Sequence, residues 1–132
     1  AELVITDDVD QGVKGAQVLY TDVWASMGEE AAWAERIALL QPYQINLTTV
    51  MKTGQADTIV LHDLPAFHDL ETTMAQAVHQ QFGLTEMEIT QDVFQAPYAK
   101  QFQQAENRLH TIKAVMAATL GELFLPQTMV IQ

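Results

Sequence analysis

A parallel α/β sheet with helices on both faces is the fold this sequence predicts, on three observations. Short apolar runs rich in β-branched residues recur at Leu3-Val4-Ile5, Val18-Leu19-Tyr20 and Thr58-Ile59-Val60-Leu61, with the length and content of buried strands. Stretches of helical periodicity lie between them, and alternation of this kind reads as a sheet whose right-handed crossovers carry helices. No internal repeat, linker or low-complexity tract interrupts the 132 residues, so one domain is expected over 1–121, followed by an apolar tail, 122–132.

The elements follow in order. Leu3-Val4-Ile5 predicts an opening strand. A brief helix from about Asp8 to Lys14 is stopped by Gly15. After the strand at Val18-Leu19-Tyr20, a helix from Glu29 to Leu40 sets Ala32, Trp33, Ile37 and Leu40 on one face, and Pro42 stands as its stop. A third helix runs from Asn46 to Lys52, before Gly54. Beyond the strand at Thr58-Ile59-Val60-Leu61, a helix from about Leu70 to Phe82 aligns Met74, Val78 and Phe82 and closes at Gly83. Met87-Glu88-Ile89-Thr90 is a candidate fourth strand. The last helix spans Ala105 to Leu120, with Leu109, Ile112, Val115, Met116 and Leu120 as its core stripe and Gly121 at its end. Ala99-Lys100-Gln101-Phe102, ahead of it, is more polar than a strand should be. The tail Leu123 to Ile131 is apolar enough to pack on this domain or to cover something outside the chain.

Composition narrows the function. Hydrophobic content of 48% and a mean hydropathy near zero describe a globular chain. No apolar run approaches the ~18 residues of a membrane span, and the start lacks the basic and apolar segments of a secretory signal. Cysteine is absent, which removes disulfides and thiolate metal sites and fits the cytoplasm. Six basic residues against seventeen acidic ones give a net charge of −11, which repels phosphate backbones and anionic lipid; neither nucleic acid nor membrane is an expected partner.

In open α/β sheets ligands bind beyond the carboxyl ends of the strands. That points to Thr21-Asp22-Val23-Trp24-Ala25-Ser26-Met27-Gly28 and to His62-Asp63-Leu64-Pro65-Ala66-Phe67-His68-Asp69. Local explanations compete at each position. Ser26 and Glu29 form a capping box, and Asp22 at a strand end can simply tie down a turn. His62, Asp63, His68 and Asp69 carry metal-ligand chemistry, but their spacing fits no closed site, so no metal is expected. His79 and His110 read as surface or packing residues of helices. Arg108, read as lying in the first turn of the last helix, is either a salt-bridge partner for this acidic chain or a ligand for an anion or carbonyl drawn to that helix end.

Taken together the segments resemble a known family. Tyr20-Thr21-Asp22-Val23-Trp24 with Ser26-Met27-Gly28-Glu29 resembles the ornithine-binding loop of ornithine carbamoyltransferases. His62 with Leu64-Pro65-Ala66-Phe67-His68-Asp69 resembles their His-Cys-Leu-Pro loop, and Ala105 to Met116 resembles their C-terminal helix. The similarity runs from Ile5 to Gly121 in the family's order. It implies a Rossmann-like domain of the aspartate/ornithine carbamoyltransferase C-terminal type, and transfer of the carbamoyl group of carbamoyl phosphate to the δ-amine of ornithine, giving citrulline and phosphate.

The resemblance also implies roles. Asp22 would hold the α-ammonium of ornithine, and Ser26 and Met27 would close over its head group as a mobile gate. The Leu64 carbonyl would accept hydrogen bonds from the attacking amine and from the carbamoyl amide, with Leu64-Pro65 a candidate cis bond. Arg108 would donate to the carbamoyl oxygen. Asp63, Leu64 and Arg108 are thus the implied catalytic and carbamoyl-phosphate-binding residues. No metal or organic cofactor is implied. The family assembles as trimers or multiples of trimers, largely through its other domain.

Two departures qualify this. The family's Ser-x-Arg-Thr and His-Pro-x-Gln segments, which bind carbamoyl phosphate, are absent, so the chain is expected to be a C-terminal domain, inactive alone. Asp63 stands where the family has cysteine, and a carboxylate there would repel phosphate and keep the amine protonated. The alternatives are that Asp63 is adapted to hold the δ-ammonium, or that the chain is a non-catalytic amino-acid-binding or regulatory module derived from the same fold.

Overall fold

A computed structural model describes residues 2–25 and 32–121. The chain divides into two compact units, Ala1–Gln101 and Phe102–Gln132. Helix α1 (Val9–Val13) starts because Asp8 accepts the Gln11 N–H at 3.1 Å. The backbone then turns through Gly15, at φ 78°, into β1 (Val18–Thr21). Helix α2 (Trp33–Leu40) buries Trp33 and Ile37. Pro42 does not stop the winding there. It lies in the first turn of a 3-10 stretch, Gln41–Tyr43, where its missing N–H is not needed. Helix α3 (Leu47–Lys52) is capped by Asn46, which accepts the Thr49 N–H at 3.0 Å, and leads to β2 (Ile59–His62). Helix α4 (Thr73–Phe82) is capped by Thr72 and closed by Gly83 in the left-handed conformation that glycine adopts without a Cβ clash. The short α5 (Gln91–Phe94) and the long α6 (Gln101–Leu120) complete the order.

The sheet is parallel, as expected. β1 and β2 pair in the register Val18↔Ile59 through Thr21↔His62. Alternate residues of β2 face opposite edges, so Val60 turns away from β1: it donates to the Tyr98 carbonyl at 3.1 Å and accepts from the Lys100 N–H at 2.8 Å. Ala99 thereby joins the far edge of β2 as a bridge despite the polarity of its neighbours. The candidate strand Met87 to Thr90 contributes only one bridge, Ile45↔Ile89. The fold is of the Rossmann-like α/β class.

Two apolar clusters hold the first unit. Leu19, Ile45, Val60, Ile89, Val93 and Phe94 form one; Trp24, Ala25, Trp33, Ile37, Val78 and Met87 form the other. Met74 and Phe82 of α4 pack against the second, as their spacing predicts.

Three expectations are corrected. Leu3, Val4 and Ile5 form no strand and are 85%, 67% and 88% exposed; β-branched content supplies propensity, but a strand requires a ladder partner, and none faces them among the described residues. The last helix begins at Gln101, because its polar first turn hides it from an apolar-periodicity search, so Arg108 lies well inside α6 and not in its first turn. The α6 stripe is no core: Leu109, Ile112, Val115, Met116 and Leu120 are all exposed. Periodicity identifies the apolar face of a helix, not the surface that covers it. The helix expected from Glu29 is described only from Trp33, and the tail 122–132 lies outside the described residues.

Candidate functional site

Because β1 and β2 are parallel neighbours, the segments leaving them emerge side by side. The Asp63 N–H carries the ladder one step further, to the Thr21 carbonyl at 3.3 Å. Past that point the chain segments separate around a cavity of about 390 Å³. Asp22, Val23 and Ala25 line it from the first loop, Asp63 to Phe67 from the second, and Thr72 and Met74 from the start of α4. The cavity thus lies beyond the carboxyl ends of the two strands, where ligands of open α/β sheets bind.

The first loop is held from below. Trp24 and Ala25 are buried in the second apolar cluster, and Arg36 of α2 donates to the Trp24 carbonyl at 3.3 Å. Asp22 is left exposed, with Oδ1 accepting the Val23 N–H at 2.7 Å. Ser26 and Met27 lie outside the described residues.

The second loop has a more constrained geometry. Leu64 has φ 60°, rare for a residue with a Cβ, and its peptide bond to Pro65 is cis, as the sequence suggested. The Leu64 N–H donates to His62 Nδ1 at 2.8 Å. His62 Nδ1 is therefore an acceptor, the imidazole is neutral, and its proton sits on Nε2, where it is donated to Glu88 Oε1 at 3.0 Å. The same Glu88 oxygen accepts the Phe67 N–H at 2.7 Å. Both side chains are buried.

The other polar residues of this loop serve elsewhere. His68 stacks on Phe94, with ring centroids 3.6 Å apart, and contacts the Gln91 side-chain oxygen. Asp69 accepts the Glu71 N–H at 2.9 Å, a local turn. Among the described residues no group of three or more His, Asp or Glu side chains is arranged to hold a metal ion, and no helix is long and apolar enough to cross a membrane. His79 bonds the Leu84 carbonyl at the end of α4, and His110 is exposed on α6.

Arg108 belongs to the second unit, where its side chain is exposed on α6. Of the residues singled out in the sequence, Asp22, Asp63 and Leu64 are brought together. Glu88 was missed: in an alternating Met87-Glu88-Ile89 pattern an acidic residue reads as the solvated face, and only the need of a buried His62 for a partner could have flagged it. Thr72 and Met74 were read as helix residues and also form wall.

Chemically the cavity sets two carboxylates, Asp22 and Asp63, above walls of Val23, Leu64, Pro65 and Phe67. Among the described residues no basic side chain lines it. That combination favours a ligand carrying amino groups on a short apolar chain.

The family profile described as "Aspartate/ornithine carbamoyltransferase, Asp/Orn binding domain" matches residues 1–119. Among curated relatives, a catabolic ornithine carbamoyltransferase of Latilactobacillus sakei is 60% identical over 124 residues, covering 94% of this chain and 37% of the relative. One of Enterococcus faecalis is 61% identical over 129 residues, covering 96% and 38%. Among solved structures, ornithine carbamoyltransferase from Pyrococcus furiosus aligns with a TM-score of 0.69 at 38% identity, over 88% of this chain and 31% of that one. The enzyme from Thermus thermophilus aligns with a TM-score of 0.60 at 32% identity, over 84% and 30%. The chain thus spans well under half the length of the proteins it matches.

Proposed function

This chain belongs to the aspartate/ornithine carbamoyltransferase family, through the family's Asp/Orn binding domain, and from that premise we propose that it is the ornithine-binding part of an ornithine carbamoyltransferase. In the reaction the neutral δ-amine of ornithine attacks the carbamoyl carbon. A C–N bond forms, the C–O bond to phosphate breaks, and the amine gives up a proton, leaving citrulline and phosphate. The observation that carries this reading is the shared cavity of Asp22 and the Leu64-Pro65 loop at the carboxyl ends of adjacent parallel strands.

The roles are those that the family resemblance implies, and each suits the charge and hydrogen-bonding capacity of its residue. Asp22 pairs with the α-ammonium of ornithine through a charge-assisted hydrogen bond. The Leu64 carbonyl accepts from the attacking amine and from the carbamoyl amide, aligning nucleophile and electrophile. Arg108 donates to the carbamoyl oxygen as negative charge develops on it. Ser26 and Met27 close over the amino-acid head group. Asp63 faces the same cavity and biases the δ-amine toward its protonated form. Carbamoyl phosphate takes its remaining ligands from a second domain, and the two-domain protein acts in the cytoplasm as a trimer or a multiple of trimers.

Asp63 also favours a second reading, an amino-acid-binding module without turnover, since a carboxylate suits a held ammonium better than a reacting amine. Titration calorimetry of this chain with ornithine, followed by citrulline assays of the two-domain protein, separates the two. Binding without citrulline formation supports the module. No ornithine binding by either protein overturns both.

A further inference from the structure

Glu88 is fully buried and its carboxylate does not line the cavity; among the described residues it meets no Lys or Arg, only the His62 imidazole. Oε1 takes two donors, His62 Nε2–H and the Phe67 N–H. Among the described residues Oε2 has no hydrogen-bond partner. Stability alone does not favour such a group, because a buried pair replaced by apolar side chains of similar volume is commonly neutral or stabilising. What the arrangement does achieve is geometric. His62 takes its proton on Nε2 because Glu88 accepts it there, which leaves Nδ1 free to receive the Leu64 N–H. Pro65 offers no N–H; the amide of Leu64 before it and that of Phe67, two residues beyond it, are each tied back to the same carboxylate oxygen, one through the imidazole and one directly.

Glu88 is itself held by the backbone: its carbonyl accepts from Ile45 at 2.9 Å, and Thr90 donates to Ile45 at 3.1 Å. The brace therefore transfers the register of the Ile45↔Ile89 bridge to the loop that carries Leu64.

We infer that Glu88 is a positioning residue, which sets the tautomer of His62 and through it holds the Leu64 backbone, at φ 60°, in the orientation that presents its carbonyl to the reacting amine. The inference rests on the transferase reading for its catalytic part and on geometry alone for its tautomer part, so the two are tested separately.

Nitrogen-15 NMR of the histidine rings in this chain reads the tautomer without any turnover. The expected result is His62 protonated at Nε2 in the wild type and in Glu88→Gln, whose amide oxygen still accepts, with mixed tautomers in Glu88→Leu. A wild-type His62 protonated at Nδ1 or at both nitrogens overturns the inference. In the two-domain enzyme, Glu88→Leu is expected to lose about 100-fold in kcat per folded site, the scale of a small misplacement of a catalytic group. KM for ornithine should stay near the wild-type value and Glu88→Gln should recover most of the rate. Undiminished kcat in folded Glu88→Leu overturns it. If that variant does not fold, a Glu88→Gln enzyme that keeps the tautomer but loses rate as severely as His62→Ala also does. Loss of all activity in the wild-type two-domain enzyme, with the tautomer as expected, would instead count against the transferase reading.

Discussion

The Tyr20 phenol donates to Oδ1 of Asp63 at 3.3 Å, a diagonal contact between one strand and the residue that follows its neighbour. Tyr20 is paired in register with Leu61, so a residue two further along comes to the same face. The hydrogen bond keeps the Asp63 carboxylate at the mouth of the cavity that Asp22 also lines. Asp63→Asn removes the charge and keeps the shape. With the carboxylate present, the substrate amine is deprotonated only at higher pH, and each unit by which its pKa is raised costs about tenfold in kcat/KM on the acid limb. The two-domain enzyme is therefore expected to gain rate near neutrality on Asp63→Asn or Asp63→Cys, with the acid limb of the pH profile moving down. Superimposable profiles would remove Asp63 from the reaction.

Asp22 is the other carboxylate of the cavity, and its role differs in kind. A charge-assisted hydrogen bond to an ammonium contributes about 1.5–3 kcal/mol, so Asp22→Asn is expected to weaken ornithine binding roughly 10- to 100-fold. The melting temperature should change little, because the side chain is exposed and, among the described residues, bonded to the next amide alone. Calorimetric titration beside a thermal melt checks both; unchanged affinity would place the α-ammonium elsewhere.

Why some of this was legible in the sequence and some was not follows from the range of each interaction. Asp8, Asn46 and Thr72 cap helices through bonds to amides three residues on, and contacts that local leave a pattern in the chain. Val18-Leu19-Tyr20 and Ile59-Val60-Leu61 pair because both runs are apolar and each finds the other. Leu3-Val4-Ile5 has the same composition and no such partner among the described residues, and nothing in the run itself says so. In the site, Asp22, Asp63 and Leu64 were visible because strand ends mark where loops converge. Glu88 was not, since its partners lie 26 and 21 residues away in the chain and meet it only in the folded state.

A second buried polar arrangement bears on stability alone. Thr58 donates to the Ala16 carbonyl at 2.8 Å and meets the Thr53 hydroxyl at 3.0 Å, while the Gln55 N–H donates to Thr53. This chain of bonds ties the turn before β2 to the segment entering β1. Thr58→Val conserves volume but removes the donor to the Ala16 carbonyl, while the Thr53 hydroxyl keeps the Val50 carbonyl, at 2.8 Å, and the Gln55 N–H. A loss of about 1–3 kcal/mol is expected in urea unfolding of this chain. An unchanged midpoint would show that water replaces the lost bonds.

Tyr98 supplies a pH dependence whose sign can be worked out. Its side chain packs against the first apolar cluster, and burial raises its pKa above the usual 10.0, with the nearby Asp92 carboxylate adding to the rise. In the unfolded chain the phenol ionises at its ordinary value, so between the two values the folded state holds more protons. The stabilisation is thus complete below about pH 10 and is lost as pH climbs through the folded value. Tyr98→Phe cannot ionise and lacks this loss. Every other ionisable group is common to the two proteins and cancels in the difference. Urea unfolding of the two proteins from about pH 8 to 11 should therefore give stability curves that run parallel at first, with the wild type falling away from Tyr98→Phe above about pH 10. Curves that stay parallel throughout would mean that the Tyr98 hydroxyl reaches water in the folded protein as freely as in the unfolded one.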